Sequence, residues 1–218
     1  MTNAAISVDR ALKRFKSRVI IEQIHLTVPY GQFCGIVGAN GSGKTTLLRC
    51  IAGLMIPNSG SISVLGQRLF PGPGTLPEGV GALIESPGFI GNLSGTKNLE
   101  FLLSLSSKRT QVDIASVLSS VGLSPGDRTK VRSYSLGMTQ RLGIAQAIME
   151  GPRLLLLDEP QYGLDPDGVL QIRNLLSQLH AKGTTIVMVS HQIDEVSALC
   201  DVVYEMRGGH LVLGGTSS

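Results

Sequence analysis

An apolar run, FCGIV at 33–37, ends in the segment GANGSGKTT at 38–46. No other stretch constrains the fold as much. The segment fits the pattern G-x-x-x-x-G-K-[ST] without deviation. Its flanks are those the pattern needs, a buried strand before it and a helix, KTTLLRCIAGL at 44–54, after it. Gly38, Gly41 and Gly43 let the backbone turn its N–H groups inward around phosphate oxygens, with Asn40 and Ser42 between them. The helix N-terminus adds partial positive charge. Lys44 is placed to reach the β- and γ-phosphates, Thr45 to offer a hydroxyl to Mg²⁺, and Thr46 to touch the α-phosphate. A glycine turn that merely joins strand to helix is the competing reading, and the intact flanks count against it.

The rest of the pattern alternates strand and helix. ISV at 6–8 and IHLTV at 24–28 read as short strands, and SISVLG at 61–66 as another. PGPGTLPEG at 71–79 holds three prolines and three glycines and reads as a loop. LEFLLSLSS, VDIASVLSSVGL and LGMTQRLGIAQAIM, between about 95 and 150, repeat apolar positions at three and four. LLLLD at 154–158 and TTIVMVS at 184–190 are buried-strand runs. Between them DPDGVLQIRNLLSQLHAKG reads as an amphipathic helix stopped by Gly183. HQIDEVSALC reads as a helix, and VVYEM and HLVLGG as a closing hairpin across Arg207-Gly208-Gly209. The pattern predicts a doubly wound α/β core, interrupted by a helical insertion at 95–150.

RLLLLDEP at 153–160 puts two carboxylates at the carboxyl end of a buried strand, the edge where such sheets bind ligands. Asp158 is placed to hold the Mg²⁺ shell, and Glu159 to orient or deprotonate an attacking water. A plain Asp-Glu cap before a proline turn is the alternative, which the phosphate loop outweighs.

SYSLGMTQRLGIAQAI at 133–148 resembles the signature segment of ATP-binding cassette (ABC) proteins, whose usual core reads LSGGQ. Ser135 fits a helix N-cap whose hydroxyl, with the Gly137 N–H, can meet a γ-phosphate; Leu136 and Met138 depart from the usual Gly and Gln. Ser190-His191 resembles the family's switch histidine, Phe15 in RFKSRV its adenine-stacking aromatic, and Asp165 in YGLDP its D-loop aspartate. The resemblance covers essentially all 218 residues. It implies a P-loop NTPase core, a parallel sheet with helices on both faces. It also implies an N-terminal antiparallel β-subdomain and an inserted α-helical subdomain. One nucleotide-binding domain is then expected over 1–218, with core and β-subdomain at 1–84 and 151–218 and the helical subdomain with the signature at 86–150. It implies ATP hydrolysis with Mg²⁺, catalysis by Glu159 and His191, and two ATP molecules sandwiched in a homodimer or with a paired cassette. In the sandwich Ser135, Leu136, Gly137 and Met138 serve the partner's nucleotide.

Glu85, in GALIESPGFIGNLSGTKNLEFL at 81–102, aligns with a glutamine of the family that touches Mg²⁺ or the lytic water. In the family that loop contacts the membrane subunit, so the resemblance implies a coupling loop at Glu85. A hard cation accepts carboxylate oxygen readily, so Glu85 is expected as a metal ligand with Thr45 and Asp158. Drift at a solvated loop is the plainer alternative. Pro87, Phe89, Asn92-Leu93-Ser94 and the SLGM signature are similar to the bacitracin-resistance and lantibiotic self-protection subgroup. That resemblance implies export of such a peptide. Another substrate, such as a lipid, a drug or a polysaccharide precursor, is the runner-up.

Bulk properties narrow the classes. Hydrophobic residues at 42% supply a large core, and charged residues at only 16% argue against disorder. A net charge of +3 is too small to indicate nucleic acid as a partner. A soluble ABC ATPase acting on ribosomes or DNA ends needs two cassettes or a long coiled coil, and a plain P-loop kinase needs no signature segment. Cys34, Cys50 and Cys200 lack metal-type spacing and read as reduced, buried thiols. No run approaches the roughly 20 apolar residues of a membrane helix. The expected place is therefore the cytoplasmic membrane face, through separate permease chains. With nothing after Ser218, no appended regulatory domain is expected.

Overall fold

The computed structural model describes residues 4–69, 77–106 and 111–214. In chain order its first half comprises β1 (Ala4–Phe15), β2 (Arg18–Pro29), β3 (Phe33–Val37), α1 (Lys44–Ile51), β4 (Ser59–Val64), β5 (Gln67–Arg68), β6 (Val80–Leu83) and α2 (Gly95–Leu105). Then come α3 (Ile114–Ser120), α4 (Leu136–Ile148), β7 (Leu154–Asp158), α5 (Pro166–Ala181), β8 (Thr185–Ser190), α6 (Ile193–Ser197), β9 (Val202–Arg207) and β10 (His210–Leu213). A short 3₁₀ turn, Val131–Ser133, precedes α4.

One sheet is antiparallel, in the order β2-β1-β4-β5. Along β2, Ile24, Leu26 and Val28 are buried while His25 and Thr27 face out, the period-two pattern of a half-buried strand. Both β1 and β2 run 12 residues, far beyond the short strands expected. The charged pair Asp9-Arg10 looks like a strand end in sequence. It is a bulge: Arg10 takes φ 47°, and pairing resumes at Ala11 opposite Ile24.

The second sheet has the order β10-β9-β3-β8-β7-β6. Every pair is parallel except β10 on β9, which closes as the expected hairpin around Gly208 and Gly209, both at positive φ. Its inner strands bury both faces, which is why they read as unbroken apolar runs. Cys34, Ile36, Leu154, Leu156, Val187 and Val189 pack into one core with α1 and the antiparallel sheet. Phe33, Val37, Leu155, Leu157, Ile186 and Met188 pack into a second core with the helices.

Strand β6 was not expected. Its sequence, VGAL, is too small and glycine-rich to register as a strand, and for a packing reason. A Cβ on Gly81 would sit 1.9 Å from the Ala147 carbonyl oxygen of α4, and one on Gly143 would meet Leu83 at 2.7 Å. The two glycines let α4 lie directly on β6, which joins the inserted helices to the core. Three helices are shorter than expected. α1 stops at Ile51, with Gly53 at φ 74° in the turn after it. α3 covers only Ile114–Ser120 and α6 only Ile193–Ser197. Of the expected loop at 71–79, residues 71–76 lie outside the described residues, as do Met1–Asn3, Ser107 and the tail from Gly215. Cys34 and Cys50 are buried free thiols, whereas Cys200 is only partly buried. Among the described residues no helix is long and apolar enough to cross a membrane.

The last residues of β3, β6, β7 and β8 are Val37, Leu83, Asp158 and Ser190. The loops leaving β3, β6 and β7 line one cleft, and the end of β8 reaches it through Glu159.

Candidate functional site

The cleft encloses about 570 Å³. Its floor is the loop entering α1. Gly43 caps that helix at φ 111°, where a Cβ would lie 2.7 Å from the Ile20 carbonyl oxygen. A side chain there would push the loop off the first sheet. Asn40, Gly41, Gly43, Lys44, Thr45 and Thr46 all line the cleft. Gly38 does not; it packs on Met206, whose carbonyl oxygen a Cβ would meet at 2.4 Å. Ser42 Oγ is buried and has no hydrogen-bond partner. A phosphate oxygen is the partner such a loop is shaped to supply.

Lys44 is 6% exposed, and its ammonium donates to the carbonyls of Gly38 at 2.6 Å and Ala39 at 3.1 Å. Burial lowers its pKa, while Glu159 and Asp158 pull it back up. The loop thus holds its own cation on neutral acceptors, which a phosphate group can outcompete. Thr45 Oγ1 donates to Asp158 Oδ2 at 2.8 Å, joining α1 to the end of β7. Burial raises the Asp158 pKa; the Thr45 bond opposes this, and the charges of Glu159 and Glu85 add to it.

Glu159 sits at φ 47°, a left-handed conformation for a residue with a side chain. Its carboxylate Oε2 lies 3.0 Å from His191 Nδ1 and accepts from Ser190 Oγ at 3.2 Å. Its N–H donates to the Val189 carbonyl at 2.9 Å. Phe15, half exposed at the end of β1, forms a wall of the cleft with Arg18 and Ile20, and the Lys13 ammonium is 5.3 Å from its ring centre.

Glu85 also lines this cleft and takes φ 60°. Its carboxylate forms an ion pair with the Arg49 guanidinium of α1, while its charge raises the pKa of Asp158 and its backbone N–H bonds to the Asp158 carboxylate. Ser135 caps α4 by accepting from the Met138 N–H at 3.2 Å. Leu136 borders the first cleft, but Ser135, Gly137 and Met138 line a second one of about 490 Å³. Asp165 lies in that second cleft too, capping α5 through the Gly168 N–H and meeting Arg141 at 3.3 Å.

Three participants escaped the sequence reading: Arg49, Gln140 and Arg141. The first balances Glu85, the second donates to the Glu159 carbonyl at 2.9 Å, and the third ties α4 to Asp165. An unexplained acid at 85 does imply a nearby cation, but only the fold says which one.

Residues 21–162 match the family described as ABC transporter. The chain belongs to the ABC transporter family. It is 41% identical over 208 residues to the bacitracin transport ATP-binding protein BcrA of Enterococcus faecalis, which covers 95% of this chain and 68% of that one. It is 32% identical to the lantibiotic transport ATP-binding protein SrtF of Streptococcus pyogenes, covering 95% of this chain and 89% of that one. Among solved structures, the ATP-binding subunit of an ABC transporter superposes with TM-score 0.87 at 25% identity, covering 98% and 90%. A dimeric bacterial ABC transporter cassette shares the fold with TM-score 0.83 at 24% identity, covering 94% and 96%. As a member of the ABC family, this chain binds and hydrolyses ATP, and the cleft over Lys44 is the place in it suited to the nucleotide.

Proposed function

We propose that the chain is the ATPase subunit of a multi-chain ABC exporter that removes a bacitracin- or lantibiotic-like peptide from the membrane. It would work on the cytoplasmic membrane face with separate permease chains. The single observation carrying the ATPase half is the cleft lined by Lys44, Thr45, Asp158 and Glu159, with His191 behind that lining and bonded to the Glu159 carboxylate. The substrate half is supported by the names of the bacitracin and lantibiotic relatives, and by Glu85 in a loop similar to theirs.

In this reading the triphosphate draws Lys44 off the carbonyls of Gly38 and Ala39. Glu159 takes a proton from a water, and that water attacks the γ-phosphorus. The bond to the bridging oxygen of ADP breaks, and phosphate leaves. His191 and Ser190 hold the carboxylate on its line of approach. The hydroxyl of Thr45 and the carboxylate of Asp158 are hard oxygen donors already 2.8 Å apart, which fits Mg²⁺. Such an ion would neutralise charge on the β- and γ-oxygens. For Glu85 to join it, the acid must exchange its Arg49 partner. Because Ser135 and Gly137 open onto a different cleft from Lys44, their phosphate would be one held by a second cassette.

The test is a deletion strain challenged with bacitracin, several lantibiotics and unrelated drugs, then complemented with wild type, Glu85→Gln or Glu159→Gln. Sensitivity to one peptide class, restored by wild type and not by Glu159→Gln, is expected. An unchanged panel would overturn the substrate assignment while leaving the ATPase in place.

A further inference from the structure

Helix α4 reaches both clefts. At its start Ser135 opens onto the second cleft, and one turn further Gln140 lines the nucleotide cleft. Gln140 is 7% exposed, an unusual setting for an amide unless it is hydrogen-bonded. Its Nε2 donates to the main-chain carbonyl of Glu159 at 2.9 Å.

That carbonyl belongs to a residue at φ 47°. A left-handed backbone at a non-glycine persists only where its surroundings fix it. Three hydrogen bonds hold the peptide groups of Glu159. Its N–H donates to Val189 on β8, and its carbonyl accepts from the Tyr162 N–H at 3.0 Å and from Gln140. The first comes from the neighbouring strand and the second from the turn that Glu159 itself begins. Only the third comes from the inserted helices. The backbone angles of Glu159 aim its carboxylate, so a donor on α4 sets part of that aim.

We infer that Gln140 is a positioning residue for Glu159. Through it, α4 couples whatever occupies the second cleft to the carboxylate that serves this chain's own nucleotide. The inference rests on the reading of Glu159 as the group that activates water. A γ-phosphate seated at the α4 N-terminus pulls on a rigid rod, and Gln140 passes the displacement to the Glu159 peptide. Arg141, the next residue, anchors the same rod to Asp165 at 3.3 Å, so the second cleft holds the helix from two sides. Each of two paired sites would thus hydrolyse best when the other is filled.

The experiment compares the purified full chain as wild type, Gln140→Met and Glu159→Gln. Methionine keeps the length and volume of the side chain and removes the donor. Expected for Gln140→Met is a kcat lower by about tenfold or more, with KM for ATP within about twofold, because aim is lost and not ground-state binding. The Hill coefficient for ATP should fall toward one. A Gln140→Met chain with wild-type kcat and cooperativity, beside an inactive Glu159→Gln, would overturn the inference alone. A Glu159→Gln chain that still turns over would overturn the reading of Glu159, and the inference with it. Gln140→Glu guards against a folding defect. As a carboxylate it cannot donate, and as a carboxylic acid it can, so its kcat relative to wild type should recover from about pH 8 to about pH 6. A flat ratio across that range would count against the hydrogen bond.

Discussion

Three carboxylates, Glu85, Asp158 and Glu159, line the cleft proposed to receive the triphosphate. Each is handled by different chemistry. Arg49 neutralises Glu85, His191 and Ser190 steady Glu159, and Asp158 is buried with the Thr45 hydroxyl and the Glu85 N–H on its carboxylate. Burial lifts the pKa of Asp158 above its value in the unfolded chain. A raised acid contributes stability fully below its unfolded pKa and loses that contribution as pH rises through the folded value. At neutral pH the nucleotide-free protein therefore carries a penalty at this residue. Asp158→Asn should raise the Tm of the nucleotide-free protein near pH 7, and the gain should shrink on acidification toward the unfolded carboxylate pKa of 3.8. The same variant should lose ATPase activity. Scanning calorimetry across that range, beside a turnover assay, checks both halves. The gathering of Lys44, Thr45 and Asp158 at one cleft was legible in sequence, because the motif and the acid-ended strand fix where each lies. Arg49 was not, because a partner 36 residues from Glu85 is chosen by the fold alone. The buried amide of Gln161 has no partner on either Nε2 or Oε1, and nothing in the structure explains it.

Elements that bury both faces announced themselves: β3, β7 and β8 are unbroken apolar runs with no competing reading. Elements shaped by close approach did not. β6 is small because α4 lies on it, so its packing erased its strand signal. The bulge at Asp9-Arg10 similarly split β1 into a strand and an apparent loop. Helix α4 was legible at its start, where Ser135 is a good N-cap, although the face bearing Gln140 gave no sign of its partner. Capping by Ser135 can be separated from the phosphate contact proposed for it. Ser135→Ala should cost about 1 kcal/mol in denaturant unfolding, through loss of the cap. Ser135→Asp should cap as well as serine and keep that stability. It should nonetheless abolish ATP turnover, since its charge would face a γ-phosphate. Denaturant titrations and phosphate release on both variants check this. An Asp variant with normal turnover would place the phosphate contact elsewhere.

At the scale of the molecule, the proposed sandwich makes a single chain, with two clefts bordered by α4, half of each site. Glu159→Gln with ATP should sediment at twice the 23.1 kDa of one chain, while the ADP-loaded protein should stay at that mass. A mutant that remains monomeric with ATP, with or without its permease, would count against the sandwich. Sequence order could suggest alternating strands and helices, but not that β3 lies between β8 and β9. That neighbourhood has a consequence in time. Strand β3 and its phosphate loop leave the ribosome before the strands flanking them, which span Thr185–Ser190 and Val202–Arg207. Gly38 rests on Met206, and the Glu22 N–H donates to the Gly209 carbonyl at 2.8 Å. Contacts of such long sequence separation form late. A nascent chain therefore carries its whole phosphate-loop sequence before the strands that brace it, β8 and β9, have emerged.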